Sequence, residues 1–277
     1  MKSETRIKIT QGMSKDKKYM VVGEDGEKYF LRVVEKQTFY KSPIDYYRKA
    51  NINIFGDRVV RIIDCVETDD SYECYYEYVD GVVLEQYINV VKEEEVIDIA
   101  SRSATLLKSI QSIGAGNQVD FFNEAYITRE LKRCKECIEA NKIIEFVSDN
   151  NKYLLDKNHN SFLHSDYHLG NIILTDKKEL VVVDIEKYEY GSFYRDVLIN
   201  ETYNREISSV YARTFLREYS SKPDFDWMSY NVHMAFYFAR FILWSKRKRG
   251  VIIDEKRINK FFSEHCVNPK KMPDWVE

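Results

Sequence analysis

The 277-residue chain is poor in the residues that interrupt regular structure, with ten glycines and four prolines. That scarcity argues against long flexible linkers. No apolar run reaches the length of a membrane span, so no membrane partner is expected. The opening residues, Met1 to Gln11, are polar, and no secretory signal is expected. Net charge is −3, and the only dense basic stretch is Lys246 to Arg249. A nucleic-acid binder would carry a broader positive footprint. The short basic stretch suits a helix C-terminus, with Gly250 as its stop. Five cysteines, Cys65, Cys74, Cys134, Cys137 and Cys266, make no disulfide framework. Cys134-x-x-Cys137 lacks a second pair, so plain thiols in a reducing, cytoplasmic setting are expected. No glycine-rich nucleotide fingerprint occurs.

What is present is a core-sized apolar fraction, 44%, and 21 tyrosines. The length suits one large or two modest domains. Arg6–Thr10, Tyr19–Val22 and Lys28–Val34 alternate as strands, and Arg58–Val66 and Glu73–Val79 follow as two more. Between the third and fourth of these strands, Ser42-Pro43-Ile44-Asp45 reads as a capped helix start, with Asp45 closing the capping box. Beyond residue 80 the period changes. Val96, Ile99, Ala100, Ser103, Leu107 and Ile110 share one helical face, as do Ile127, Leu131, Cys134 and Ile138. Trp227 to Lys246 is rich in aromatics and apolar almost all round, so it reads as a buried helix packed in the core, with one edge as an alternative pocket lining.

The chain is organised around Phe162 to Glu186. Ile172–Leu174 and Leu180–Val183 flank a polar turn and read as a β-hairpin. The loop His164-Ser165-Asp166-Tyr167-His168-Leu169-Gly170-Asn171 precedes it, and Asp184 ends its second strand. Asp166, Asn171 and Asp184 should therefore gather at one end. Phosphoryl transfer asks a protein mainly to position groups and offset charge with Mg²⁺. Asn171 and Asp184 offer the hard oxygens that ion prefers. Asp166 would orient a hydroxyl and take its proton.

The spacing H-x-D-x-x-x-x-N followed by a strand-ending aspartate matches kinase catalytic and metal motifs. With Ser165 after the histidine and Asp184-Ile185-Glu186 at the metal position, the stretch resembles the aminoglycoside phosphotransferase and choline kinase group. That resemblance implies an α+β, two-lobed, protein-kinase-like fold, with a β-rich lobe at 1–79 and a helical lobe at 80–277. It implies ATP or GTP as donor, Mg²⁺, and a hydroxyl on a small molecule as acceptor, an aminoglycoside or related antibiotic first. A metabolic kinase for choline or a sugar is the alternative. A pseudokinase is a rival from another class, motivated by Arg32 and a thin phosphate turn.

The resemblance also assigns supporting residues. Gly12 and Ser14 are similar to the family's phosphate-covering turn, although a plain hairpin turn explains them equally well. Arg32 stands where a kinase third strand carries its phosphate-binding lysine. Glu77, Tyr78 and Val79 resemble the connector whose backbone meets a base edge. Asp196 stands where the family places an aspartate that takes N–H groups from the catalytic loop, and His164 where it places a bracing histidine. Asp45 is the candidate partner for Arg32. Glu186 and Glu189 are acids placed to meet a cationic acceptor, or ordinary surface glutamates. No Asp-Phe-Gly to Ala-Pro-Glu segment follows Asp184, which favours a small acceptor over a protein. Oligomeric state is not encoded in any feature identified.

Overall fold

The computed structural model describes residues 5–10, 16–24, 26–36, 58–112, 123–156, 160–185 and 188–277. The expected helix at Ser42–Ala50 lies outside them. The chain forms two compact units, Met1–Val90 with His168–Lys187, and Val91–Tyr167 with Tyr188–Glu277. The hairpin thus belongs with the N-terminal sheet in space, though it is distant in sequence.

The first unit is a five-stranded antiparallel sheet of β1 (Thr5–Ile9), β2 (Lys17–Val22), β3 (Lys28–Glu35), β4 (Ile62–Glu67) and β5 (Ser71–Glu77), in the order β1-β2-β3-β5-β4. Strand alternation gives each face its own core. Val21, Leu31 and Tyr75 fill one face. On the other, Ile62, Cys74 and Tyr76 pack with Val60 and with Val181 of the hairpin. Phe30 joins this second cluster, so Arg32 projects from the same face two residues on.

A three-stranded sheet carries the hairpin: β6 (Gly81–Val83), β8 (Ile172–Thr175) and β9 (Leu180–Val182). The Thr175–Glu179 connection is tight, with Lys178 at φ 64° and its N–H donating to the Thr175 carbonyl at 2.8 Å. β9 also meets the segment before β4, where the Val60 N–H donates to the Val182 carbonyl at 2.9 Å. β6 is an addition to the expected elements. Val82 and Val83 alternate too briefly to stand out as a strand.

Cys65 and Cys74 correct the expectation of unpaired thiols. They are direct cross-strand partners on β4 and β5, with Cα atoms 4.1 Å apart, and are joined as a disulfide. Their spacing spans a tight turn in which Thr68 N–H bonds the Ser71 carbonyl, a register that composition does not reveal. Cys134, Cys137 and Cys266 are buried free thiols.

In the second unit β7 (Asn160–Leu163) pairs with β10 (Glu189–Ser192). Helices form the rest: α1 (Glu93–Gln111), α2 (Glu124–Cys134), α3 (Asn141–Asp149), α4 (Tyr194–Ile199), α5 (Ser209–Tyr219), α6 (Trp227–Trp244) and α7 (Glu255–His265). α1 packs along α5, and α6 runs through the centre against α2 and α3. The chain starts α6 at Asp226, whose carboxylate accepts the N–H groups of Met228 (3.3 Å) and Ser229 (2.8 Å). The helix continues into a π turn over Ser245–Arg249 and stops at Gly250, at φ 63°. Among the described residues no helix is long and apolar enough to cross a membrane.

A buried polar network ties α6 and α7 to a π turn at Asn200–Asn204. Glu201 accepts from the Tyr230 hydroxyl at 2.6 Å and lies 2.8 Å from His265 Nε2. Asn231 Oδ1 faces His265 Nδ1 at 2.7 Å. Burial alone would push the Glu201 carboxyl up, but His265, Tyr230 and Arg205 outweigh it and hold it below its ordinary range.

Two tests follow from this packing. A Cβ on Gly81 would sit 2.4 Å from the Leu174 carbonyl oxygen, a backbone atom of the neighbouring strand. Gly81→Ala should therefore cost about 2 kcal/mol in urea unfolding; an unchanged midpoint would mean β6 yields freely. Glu201 has a lowered carboxyl pKa, so its stabilisation is complete above about pH 4.5 and disappears as pH falls through the lowered value. Glu201→Gln should lose about 2 kcal/mol at pH 7, with the gap to wild type closing as pH falls through the lowered carboxyl pKa, read by thermal unfolding across pH.

Candidate active site

In the first unit the hairpin base sets two oxygen-bearing side chains. Asn171 ends a single 3₁₀ turn, Leu169–Asn171, and its N–H donates to the His168 carbonyl at 2.8 Å. Its own carbonyl accepts the Val183 N–H at 3.0 Å. Asn171 is thereby fastened to the residue before Asp184. Asp184 then turns into the left-handed region, φ 61°. A non-glycine residue there costs about 1 kcal/mol or more, and such residues gather at functional sites.

Arg32 reaches the same end. Its Nη1 donates to Asp184 Oδ1 at 2.9 Å, and its Nε donates to Asp16 Oδ2 at 2.7 Å. The three side chains are largely screened from solvent, Arg32 and Asp16 at 13% exposure and Asp184 at 26%. Each contact is worth on the order of 4 kcal/mol before desolvation, and burying the charges offsets most of that. The cluster's value is therefore orientation more than net stability. Carboxylate and amide oxygens are the hard donors that Mg²⁺ takes, so the chemistry of Asp184 and Asn171 fits that ion.

Asp16 was not among the residues singled out in the sequence. The register explains its role: Lys18 is the cross-strand partner of Arg32, and Asp16, two residues earlier, shares its face. Ser14 and Asp45, the expected phosphate turn and the expected arginine partner, lie outside the described residues, as does Glu186.

The expected base-contacting segment follows β5. The Glu77 N–H donates to the Arg61 carbonyl at 3.0 Å and its carboxylate accepts from Arg61 Nε at 2.6 Å. That N–H is committed within the sheet. Tyr78 lies under the Lys28 ammonium, 5.6 Å from the ring centre. Val79 and Val183 pack on one apolar cluster, so the segment and the strand leading to Asp184 share a core.

His168 and Gly170 shape the turn between. Gly170 N–H donates to His168 Nδ1 at 3.0 Å. A Cβ on Gly170 would meet His168 Cε1 at 2.8 Å and Glu85 Oε2 at 2.9 Å, so a side chain here would require these two side chains to shift.

In the second unit β7 delivers His164, Ser165 and Asp166. Asp196, on α4, is buried and accepts the N–H groups of His164 (2.9 Å) and Ser165 (2.7 Å) and Gln111 Nε2 (3.1 Å). Burial pushes its carboxyl up; the adjacent His164 and these donors oppose that. His164 is fully buried, and its Nδ1 accepts the Asp166 N–H at 3.2 Å. On the other flank, Tyr167 is buried and its hydroxyl donates to the Ser103 carbonyl at 2.8 Å. Ser165 adopts φ 68°. The backbone of half-buried Asp166 is thus pinned from both sides. Gln111 and Tyr167 escaped the sequence reading because each looks like ordinary helix or core. Ser165 also borders a cavity of about 670 Å³ whose far wall includes Met234, Tyr237, Phe238 and Phe241 of α6.

Residues 6–230 match the family model described as the phosphotransferase enzyme family, APH, and the chain belongs to that family. No curated protein sequence matches it. Solved structures share the fold, a β-sheet lobe and a helical lobe of the protein-kinase kind. An aminoglycoside phosphotransferase APH(4)-Ia, in ternary complex with AMP-PNP and hygromycin B, aligns with a TM-score of 0.63 and 12% identity, over 95% of each chain. The choline kinase LicA from Streptococcus pneumoniae aligns with a TM-score of 0.57 and 16% identity, over 94% of this chain and 93% of its own. APH(3'')-Id from Streptomyces rimosus, with ADP and streptomycin, gives 0.58 and 10%, over 85% and 92%. The chain is accordingly a small-molecule phosphotransferase.

The ion cluster gives a direct test. Arg32→Ala leaves Asp16 and Asp184 facing each other without their shared cation, and should cost about 2 kcal/mol, discounted for the partial exposure of Asp184. Adding Asp16→Asn should recover about half. Equal losses in the single and double variants would show that the carboxylates do not depend on the guanidinium.

Proposed function

We propose that the chain moves the γ-phosphoryl group of ATP or GTP onto a hydroxyl of a small molecule, with Mg²⁺ bound. One observation carries the reading: Asn171 is bonded to the residue before Asp184, and Arg32 is seated on that aspartate. Asp184 and Asn171 would hold the ion, which offsets the charge that gathers on the phosphate oxygens. Arg32 would release part of its hold on Asp184 and grip phosphate oxygens with its planar fork. Ser14 would cover the phosphates, and the backbone around Glu77, Tyr78 and Val79 would meet the base. Asp166 would accept the acceptor's hydroxyl proton. Asp196 and His164 would hold its backbone still, since a misplaced base loses much of its rate advantage. Asp45 remains the alternative partner for Arg32. In this reading residues 1–79 bind the nucleotide and 80–277 carry the base and the acceptor.

The names of the similar structures and the family resemblance set the first acceptors to try: hygromycin B, streptomycin and gentamicin as aminoglycosides, and choline as the metabolic alcohol.

Transfer from γ-labelled ATP and GTP tests the reading. Asp166→Ala should lower Mg²⁺-dependent turnover by about a hundredfold or more while still binding nucleotide in calorimetry. Asp184→Asn should weaken nucleotide binding in the presence of Mg²⁺ far more than in EDTA. Wild-type turnover in either variant would refute the assigned roles, and equal, negligible rates in wild type and Asp166→Ala would mark a pseudokinase.

A further inference from the structure

The cavity beside Ser165 is about 670 Å³, within the range that encloses a drug-sized molecule. It lies wholly in the helical unit, and it borders the residue before Asp166. Its charge is informative. Arg195, Arg205, Arg257 and Lys260 line it with Glu201, Glu206 and Glu264, and Glu189 holds Arg195 at 2.6 Å from just outside, so the charges balance.

The carboxylates are also already engaged. Glu201 takes the Tyr230 hydroxyl at 2.6 Å, His265 Nε2 at 2.8 Å and Arg205 at 3.4 Å. Glu264 faces Arg205 at 3.3 Å and Lys260 at 3.9 Å. Glu206 lies 3.6 Å from Arg257. A polyamine entering here would have to displace the cations these carboxylates already hold.

Aromatic faces are the other way to hold a cation, and these too have partners. The Arg257 guanidinium stands 5.7 Å from the Phe241 ring centre, and that of Arg240 stands 5.6 Å from Tyr237. Phe261 stacks on Phe238 at 4.0 Å and on His265 at 4.5 Å. What the wall offers a guest is apolar surface from Leu198, Ile199, Met234 and Phe241, with a cationic margin at Arg257 and Lys260.

Resting on the phosphotransferase reading, we propose that this cavity takes the acceptor, and that the acceptor is a hydroxylated molecule with a broad apolar face, no amine and at most one acidic group. In the transfer step its hydroxyl oxygen attacks the γ-phosphorus. The new O–P bond forms as the bond from that phosphorus to the bridging β–γ oxygen breaks, the nucleoside diphosphate leaves with that electron pair, and the hydroxyl proton passes to the Asp166 carboxylate. The apolar face packs on α6, and an acidic group, where present, meets Arg257 and Lys260.

Calorimetry and labelled-phosphate transfer on the full chain decide this. Five probes are used: cholate and 4-nitrophenyl β-glucoside for the proposed class, and gentamicin, streptomycin and choline as cations. Cholate or the aryl glucoside should bind and accept phosphate in preference to all three cations. Phe241→Ala, at a partly exposed position, should weaken their binding about tenfold, with nucleotide affinity as the internal control. Arg257→Glu combined with Lys260→Glu, both exposed, should weaken cholate and strengthen gentamicin by a similar factor. Tighter wild-type binding of any cation than of both class probes overturns the proposal, as does failure of both class probes to bind. Absence of Asp166-dependent turnover with every nucleotide would instead refute the phosphotransferase reading, and the binding order would still judge the cavity.

Discussion

A single buried carboxylate holds the loop after β7 in shape. Asp196 receives two successive backbone N–H groups and the Gln111 amide. Those N–H groups sit where the chain leaves a strand and turns through the left-handed conformation of Ser165. Without an acceptor they would be stranded in the interior, at a cost of about 1–3 kcal/mol each. The loop therefore has one low-energy path. Gln111 extends the tie into α1 and, through its contact with the Tyr219 hydroxyl, into α5. The packing of α1 on α5 and the placement of the Asp166 backbone are consequently one structural problem, solved together.

The sheet unit is arranged on the opposite principle. There a cation is shared instead of an anion. Arg32 lies between Asp16 and Asp184, one from the start of β2 and one from the end of the hairpin. Two segments far apart in sequence are drawn to one side chain. The apolar cluster beneath, with Phe30, Val79 and Val183 on its border, fixes the distance between them. Because desolvation cancels most of the attraction, the cluster contributes more to orientation than to stability.

Much of this was legible in the residues. The hairpin, the five strands and the aromatic helix announce themselves through period and turn chemistry, and the polar spacing around Asp166 carries the family resemblance that the family model bears out. What stayed hidden depended on register. Asp16 faces Arg32 only because Lys18 is its cross-strand neighbour, and no local pattern encodes that pairing. The sequence points instead to Asp45, the only acid between Glu35 and Asp57, which lies outside the described residues. Cys65 and Cys74 were read as separate thiols because their spacing has no motif; facing positions on adjacent strands decide the matter. Gln111 looks like an exposed helix end in sequence, yet it is buried against Asp196.

The crowding at Gly170 has a corollary for how this loop can vary. His168 and Glu85 occupy the volume that any larger side chain at 170 would claim. The two obstacles differ in kind: Glu85 Oε2 is the tip of a flexible side chain, whereas the His168 ring is tied to the turn by the Gly170 N–H that it accepts. The imidazole is therefore the firmer limit on what position 170 accommodates.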